Sequence, residues 1–215
     1  MRITFLAVLA LIAAVEVAGC DTGAASSAPG DSSGSGAASQ STPPTSSSGP
    51  KSPAPSASAG LVIPHDDPAL EARLPDEFDG KKLFKLSVGP ISSAGNEGAE
   101  PVRKLADEIG DGTGNFSLAF ANDPTAHDAA VFNYFALRIP GAPSDQLVEK
   151  YAALTVADTR GAESEQVTLA GKQVTHVTAP DNPIGDVWIY AIGDTLFGVQ
   201  AHSPEQAAAL LALLP

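Results

Sequence analysis

A single cysteine, Cys20, stands in 215 residues. No disulfide can form within the chain, and no thiol remains elsewhere for catalysis or metal binding. The fold must therefore rest on its packed core. Aromatic residues are sparse at 6 %, with one tryptophan, Trp188. Positive charge is scarce as well: 12 Lys and Arg stand against 25 Asp and Glu, for a net charge of −13. After residue 60 there are 22 acids and 10 bases, so the imbalance sits in the last three quarters of the chain. A surface that acidic repels nucleic acid and anionic lipid headgroups, which argues against both as direct partners. Long apolar runs are missing too. Ile3–Val15, broken only by Thr4, is 13 residues long, short of the roughly 20 that a bilayer span needs.

Recognisable reaction signatures are also lacking. His65, His127, His176 and His202 form no HExxH and no other close ligand pair. No serine lies in a Gly-x-Ser-x-Gly elbow. Gly110-Asp111-Gly112-Thr113-Gly114 is glycine-rich, but it follows a helical pattern and precedes a strand pattern. Phosphate-cradling loops run from strand to helix, so this one reads as a helix stop and turn. No cofactor is expected.

The residues that are present divide into three blocks. The first holds Arg2, the apolar run Ile3–Val15, and the small residues before Cys20. Its length suits a signal-peptide core better than a membrane span. Val17-Ala18-Gly19-Cys20 resembles the lipobox of bacterial lipoproteins. The resemblance implies a leader over residues 1–19, cleavage before Cys20, a diacylglyceryl group on the Cys20 sulfur, and an extracytoplasmic address. The chemistry calls for cysteine because its sulfur is the one strong nucleophile available there. Two or more acyl chains hold a protein stably on a membrane, at about 0.8 kcal/mol per buried CH₂.

The second block is residues 20–60. From Asp21 to Gly60, 36 of 40 residues are Gly, Ala, Ser, Thr or Pro, with no aromatic or large aliphatic residue. Such a segment cannot bury enough apolar surface to offset its ordering entropy and is expected to serve as a disordered tether. As a flexible coil its root-mean-square reach would be roughly 35 Å.

The third block, residues 61–215, is long enough for one core. Asp67-Pro68 predicts a helix start and Asp79-Gly80 a turn. Phe84, Leu86 and Val88 alternate, as do Phe116, Leu118 and Phe120, and Phe135, Leu137 and Ile139. Val102, Leu105, Ala106 and Ile109 share a helical face after Pro101, with Gly110 as the stop. Ser144 opens a second helical pattern. Further on come turns at Ala170-Gly171 and Gly193-Asp194, and a helix start at Ser203-Pro204-Glu205-Gln206. The pattern predicts an α+β domain, an antiparallel sheet with helices packed on one face. Aligning Gly80-Lys81 with Gly171-Lys172 and Phe135-Ala136-Leu137 with Phe197-Gly198-Val199 suggests two diverged β-β-β-α repeats; shared hairpin-plus-helix patterning explains the same match.

The alternation has a functional corollary. If Val187 and Ile189 face the helices, Trp188 and Tyr190 face away, and the same parity turns Phe132, Tyr134 and Leu196 outward. An open sheet face carrying these side chains predicts a surface for a small ligand or a protein partner. The competing expectation is a cover made by residues 61–75, by the Pro101–Ile109 helix, or by a second copy. Asp123, His127 and Asp128 fall in one loop and are candidate cation ligands, although a solvated loop explains them equally. The functional expectation is a membrane-anchored, non-catalytic module that binds a partner or supports the cell envelope. An extracytoplasmic hydrolase with a dispersed site is the alternative.

Overall fold

The computed structural model describes residues 63–91 and 99–215. Cys20, the expected leader over residues 1–19 and the expected tether over residues 20–60 lie outside the described residues. Among the described residues no helix is long and apolar enough to cross a membrane.

The chain first runs along the edge of what becomes the main sheet. Ser87 N–H donates to Pro64 O at 3.1 Å and Asp66 N–H to Ser87 O at 3.2 Å. Helix α1 (Pro68–Glu71) follows, with the Asp67 carboxylate accepting from Leu70 N–H at 3.1 Å. Strands β1 (Glu77–Phe78) and β2 (Lys81–Lys82) form a small hairpin. Its turn places Asp79 at φ 52° and Gly80 at φ 72°, the left-handed region that Asp and Gly tolerate best.

Then come β3 (Phe84–Ile91), α2 (Glu100–Ile109), β4 (Phe116–Asn122), a 3₁₀ turn (Asp128–Ala130), β5 (Asn133–Arg138) and α3 (Ser144–Asp158). The C-terminal half is β6 (Ser164–Leu169), β7 (Lys172–Val177), β8 (Asp186–Ile192), β9 (Thr195–Ala201) and α4 (Pro204–Leu211). Ser203 caps α4 by accepting from Gln206 N–H at 3.2 Å, while Gln206 Oε1 reaches back to His202 N–H at 2.8 Å. That is a variant of the predicted capping box.

Seven strands form one antiparallel sheet in the order β3-β4-β5-β9-β8-β7-β6. The domain is α+β, as the pattern predicts. Helices α2 and α3 pack on one face through Val102, Leu105, Ile109, Leu147 and Tyr151 against Phe116, Phe135, Leu137, Val187 and Ile189. The opposite face is not left open. Leu70 and Leu74, with Ala207, Leu210, Leu211 and Leu214, cover Trp188, Tyr190, Phe197 and Val199. Ala119 and Ala121 stand beneath α1, and their small side chains let that short helix sit close to the sheet. Each fully buried Leu, Ile or Phe in these layers contributes roughly 1.5–3 kcal/mol.

The strand order is mirrored about the β5–β9 pair, since each of these strands closes its half. The side chains do not follow that mirror. Phe135 lies in the α2–α3 layer and Phe197, its partner in the sequence alignment, in the α1–α4 layer. Helices α3 and α4, which end the two halves, sit on opposite faces as well. A two-fold axis between antiparallel strands preserves faces, so the aligned residues are not equivalent in space.

Candidate functional site

The predicted aromatic surface is corrected by the structure. Trp188 is 2 % exposed, Tyr190 7 %, Phe132 5 % and Tyr134 0 %. The parity reading holds for these four, which face away from Val187 and Ile189. What fails is the exposure, because α1 and α4 bury the face with the chain's own leucines. The Pro101–Ile109 helix, a suggested cover, lies on the other side. Leu196 is corrected in direction too: it packs in the α2–α3 layer, while Phe197 and Val199 join Trp188.

The buried aromatics form a structural web. Phe132 meets Phe78 edge-on at 4.9 Å and Tyr134 at 5.7 Å. The Arg73 guanidinium lies 4.4 Å above the Phe197 ring and donates to Thr195 Oγ1 at 2.8 Å. Tyr190 donates its hydroxyl to Pro215 O at 2.7 Å, tying the chain beyond α4 to β8. Burial pushes the Tyr134, Tyr151 and Tyr190 phenols up, so none is poised to ionise near neutrality. His176 stacks flat on Trp188 at 4.7 Å, with Nε2 3.0 Å from Asp186 and Nδ1 3.3 Å from Glu165. The two carboxylates address different ring nitrogens, so the three groups do not converge on a point.

Asp123, His127 and Asp128 are not brought together around a cation. Asp123 Oδ1 accepts from the Thr125 hydroxyl at 2.6 Å and Oδ2 from Lys81 Nζ at 2.9 Å. Those partners hold its carboxyl down, from 3.8 to about 2, with the Thr125 hydroxyl the larger cause. His127 and Asp128 are exposed. Among the described residues no group of three His, Cys, Asp or Glu side chains is placed to hold a metal ion.

A site that the sequence reading missed lies where the sheet opens. Strand β7 pairs with β8 only at Thr175↔Ile189, His176↔Trp188 and Val177↔Val187. On their other sides both strands pair further, to Leu169↔Lys172 and to Ile192↔Thr195. The two inner strands thus part over residues 172–174 and 190–192. A cleft of about 860 Å³ occupies the parting and the space beside α3.

The first turns of α3 supply one wall, through Asp145, Val148, Glu149 and Ala152. Asp145 and Glu149 are one helical turn apart, which sets both carboxylates on the same side. Both are exposed, and neither has an ion-pair partner among the described residues. Like charges at this spacing cost a helix about 0.2–0.5 kcal/mol. Ile189, Ala191 and Ile192 line the β8 wall, and Glu165, Lys172 and Gln173 the far side. Ile192 is 45 % exposed, one of the few large apolar side chains at the surface among the described residues. Lys172 Nζ rests 5.7 Å from the Tyr190 ring centre.

The unpaired Asp145 and Glu149 carboxylates make the α3 side of the cleft cation-attracting, beside a partly apolar floor, while Glu165 turns its carboxylate to His176. The cleft lining among the described residues includes no histidine. These residues come from α3, β6, β7 and β8, and no local sequence window contains them. The one legible signal is the Asp145–Glu149 spacing. Compared with family models, with curated proteins and with solved structures, the chain matches none.

Proposed function

We propose that this protein is a lipid-anchored, extracytoplasmic binding module, tethered through Cys20 and binding a partner in the cleft between α3 and the parted strands β7 and β8. The lipobox-like run Val17-Ala18-Gly19-Cys20 supports the anchor, and the 40-residue Gly/Ala/Ser/Thr/Pro segment after it supports a tether that holds the domain away from the membrane. The cleft carries the binding part of the reading. It is large, it lies between rigid elements, and it concentrates acid beside exposed apolar side chains. A hydrolase would need a nucleophile or water-activating base held by a second group, and the cleft side chains supply no such pair. The acidic domain surface favours a partner other than nucleic acid.

Two measurements test this. Cells expressing the full chain are fed an alkyne fatty acid, and the acyl group should appear on the wild type and vanish in Cys20→Ser. A photo-crosslinking amino acid at Val148, in the cleft, should capture a partner in intact cells. The same amino acid at Thr168, on the exposed outer strand, should not. An unacylated wild type, or equal capture at both positions, refutes the reading.

A further inference from the structure

The main-chain directions at the parting can be worked out from two hydrogen bonds. Ile139 N–H donates to Asp194 O at 3.0 Å, continuing the β5–β9 register. Alternate residues of an antiparallel strand point their N–H and C=O the same way. Residues 194, 196, 198 and 200 therefore face β5, and Thr195, Phe197 and Val199 face β8. Their β8 partners, Ile192, Tyr190 and Trp188, face back toward β9. That leaves Ala191 and Ile189 facing β7. On the other wall, Thr178 N–H donates to Glu163 O at 2.9 Å, so the even residues of β7 face β6. Gln173 and Thr175 then face β8. Thr175↔Ile189 is paired, and the next pair in register, Gln173↔Ala191, is the one the structure omits. Gln173 and Ala191 thus each present one main-chain donor and one acceptor into the cleft. The free stretch is three residues long on each wall, about 10 Å at roughly 3.3 Å per residue.

We infer that the occupant of this cleft is a short extended peptide segment bearing a basic side chain, docked by main-chain pairing with Ala191 or Gln173. The inference rests on the cleft being the binding site proposed above. An extended peptide is the ligand class whose N–H and C=O groups repeat at the spacing of a strand wall. The basic side chain follows from charge: Asp145 and Glu149 line the groove on α3 with no ion-pair partner among the described residues, and Lys172 is the one amine in the lining. Asp145 and Glu149 stand on α3, which packs on the Ile189 face of the sheet, while Lys172 Nζ rests over Tyr190 of the opposite layer, so a cation entering beside α3 meets carboxylates before it meets the amine. Ala152, Ala153 and Ala191 keep the walls low enough for a backbone to approach.

The test uses the full lipidated chain in detergent and a fluorescein-labelled Ala-Lys-Ala-Lys-Ala peptide, read by fluorescence polarisation. Saturable binding is expected, with none for the peptide carrying Glu in place of Lys. Methylating the central alanine nitrogen of the ligand removes one main-chain donor and should weaken binding about tenfold, equal to about 1.4 kcal/mol. Because that change is in the ligand, it cannot unfold the protein. Asp145→Asn with Glu149→Gln, both exposed positions, should weaken binding about threefold to tenfold and flatten its salt dependence. Equal binding of the methylated peptide, or no saturable binding of the lysine peptide, overturns the inference. If crosslinking at Val148 persists while the peptide fails, the cleft is a binding site for another chemistry and only this inference falls. If both fail, the proposed function falls with it.

Discussion

Gly198 offers a sharp test of the packing because its role is steric. It sits in β9, paired with Phe135 on one side and Ile189 on the other. A Cβ at this position would run into Cζ and Cε1 of the Phe135 ring and come within 2.9 Å of Ile189 Cγ2. Its backbone is ordinary extended chain, so the missing side chain, and not backbone freedom, is what the site uses. The Phe135 ring lies over the glycine, is 1 % exposed, and has Tyr151 of α3 at 5.9 Å. It therefore cannot swing away without displacing the helix. Gly198→Ala should destabilise by about 1–3 kcal/mol, the usual range for overpacking a filled core. For a domain of this size that is a fall in Tm of roughly 2–4 °C per kcal/mol. Urea unfolding followed by Trp188 fluorescence gives the value, since the chain has one tryptophan. The decisive measurement is the double variant. Phe135→Leu alone opens a void and costs stability, but in the Gly198→Ala background it makes room for the new methyl. The pair should therefore be more stable than the sum of the singles by about 0.5–3 kcal/mol. Additive singles, or a Gly198→Ala protein as stable as the wild type, would refute the steric account.

Other outcomes follow from the same contacts. Ser203→Ala should cost about 1 kcal/mol by removing the cap of α4, and near-UV circular dichroism of the aromatic web that α4 covers should soften on heating before far-UV signal does. Asp67 caps α1 and accepts from Arg138 Nη2 at 2.5 Å; Asp67→Asn keeps a capping oxygen and loses the ion pair, so Asp67→Ala should be the more destabilising, by about 1 kcal/mol, in urea melts. Asp123 has its carboxyl depressed from 3.8 to about 2 in the folded protein, so its contribution to stability is complete above pH 4 and is lost as pH falls toward 2. Asp123→Asn should flatten that segment of the stability–pH curve, and an unchanged slope would mean that Thr125 and Lys81 do not hold the carboxylate in solution.

Local chemistry made much of the fold legible in the sequence, and burial on two sides made the rest illegible. The turns at Asp79-Gly80 and Ala170-Gly171 could be read because positive φ restricts residue choice: both residues of each turn take it. Ser203 could be read because a cap is a contact within four residues. Alternation gave the direction of Trp188 and Tyr190 in β8, because each neighbouring residue enters a different layer. In β9 it gave no usable direction. All seven residues of that central strand are buried, and the run Leu196–Val199 at its middle shows no contrast between faces, so the direction of Leu196 cannot be read from it. The aromatic face reads as open in the sequence because its cover comes from the two ends of the domain. Leu70 and Leu74 lie more than 110 residues before Trp188, and Leu210, Leu211 and Leu214 follow it in and just beyond a helix whose apolar residues nearly encircle it. The cleft was hidden for a related reason. What creates it is a pair that does not form, Gln173 with Ala191, between strands whose outer pairings both continue. Neither residue has a propensity that forbids the pair. Strand β7 follows its hairpin partner β6, which α3 and α4 both touch, while β8 follows the central β9. The divergence thus lies between two strands that each keep their outer partner, a tertiary feature that carries no mark in either strand.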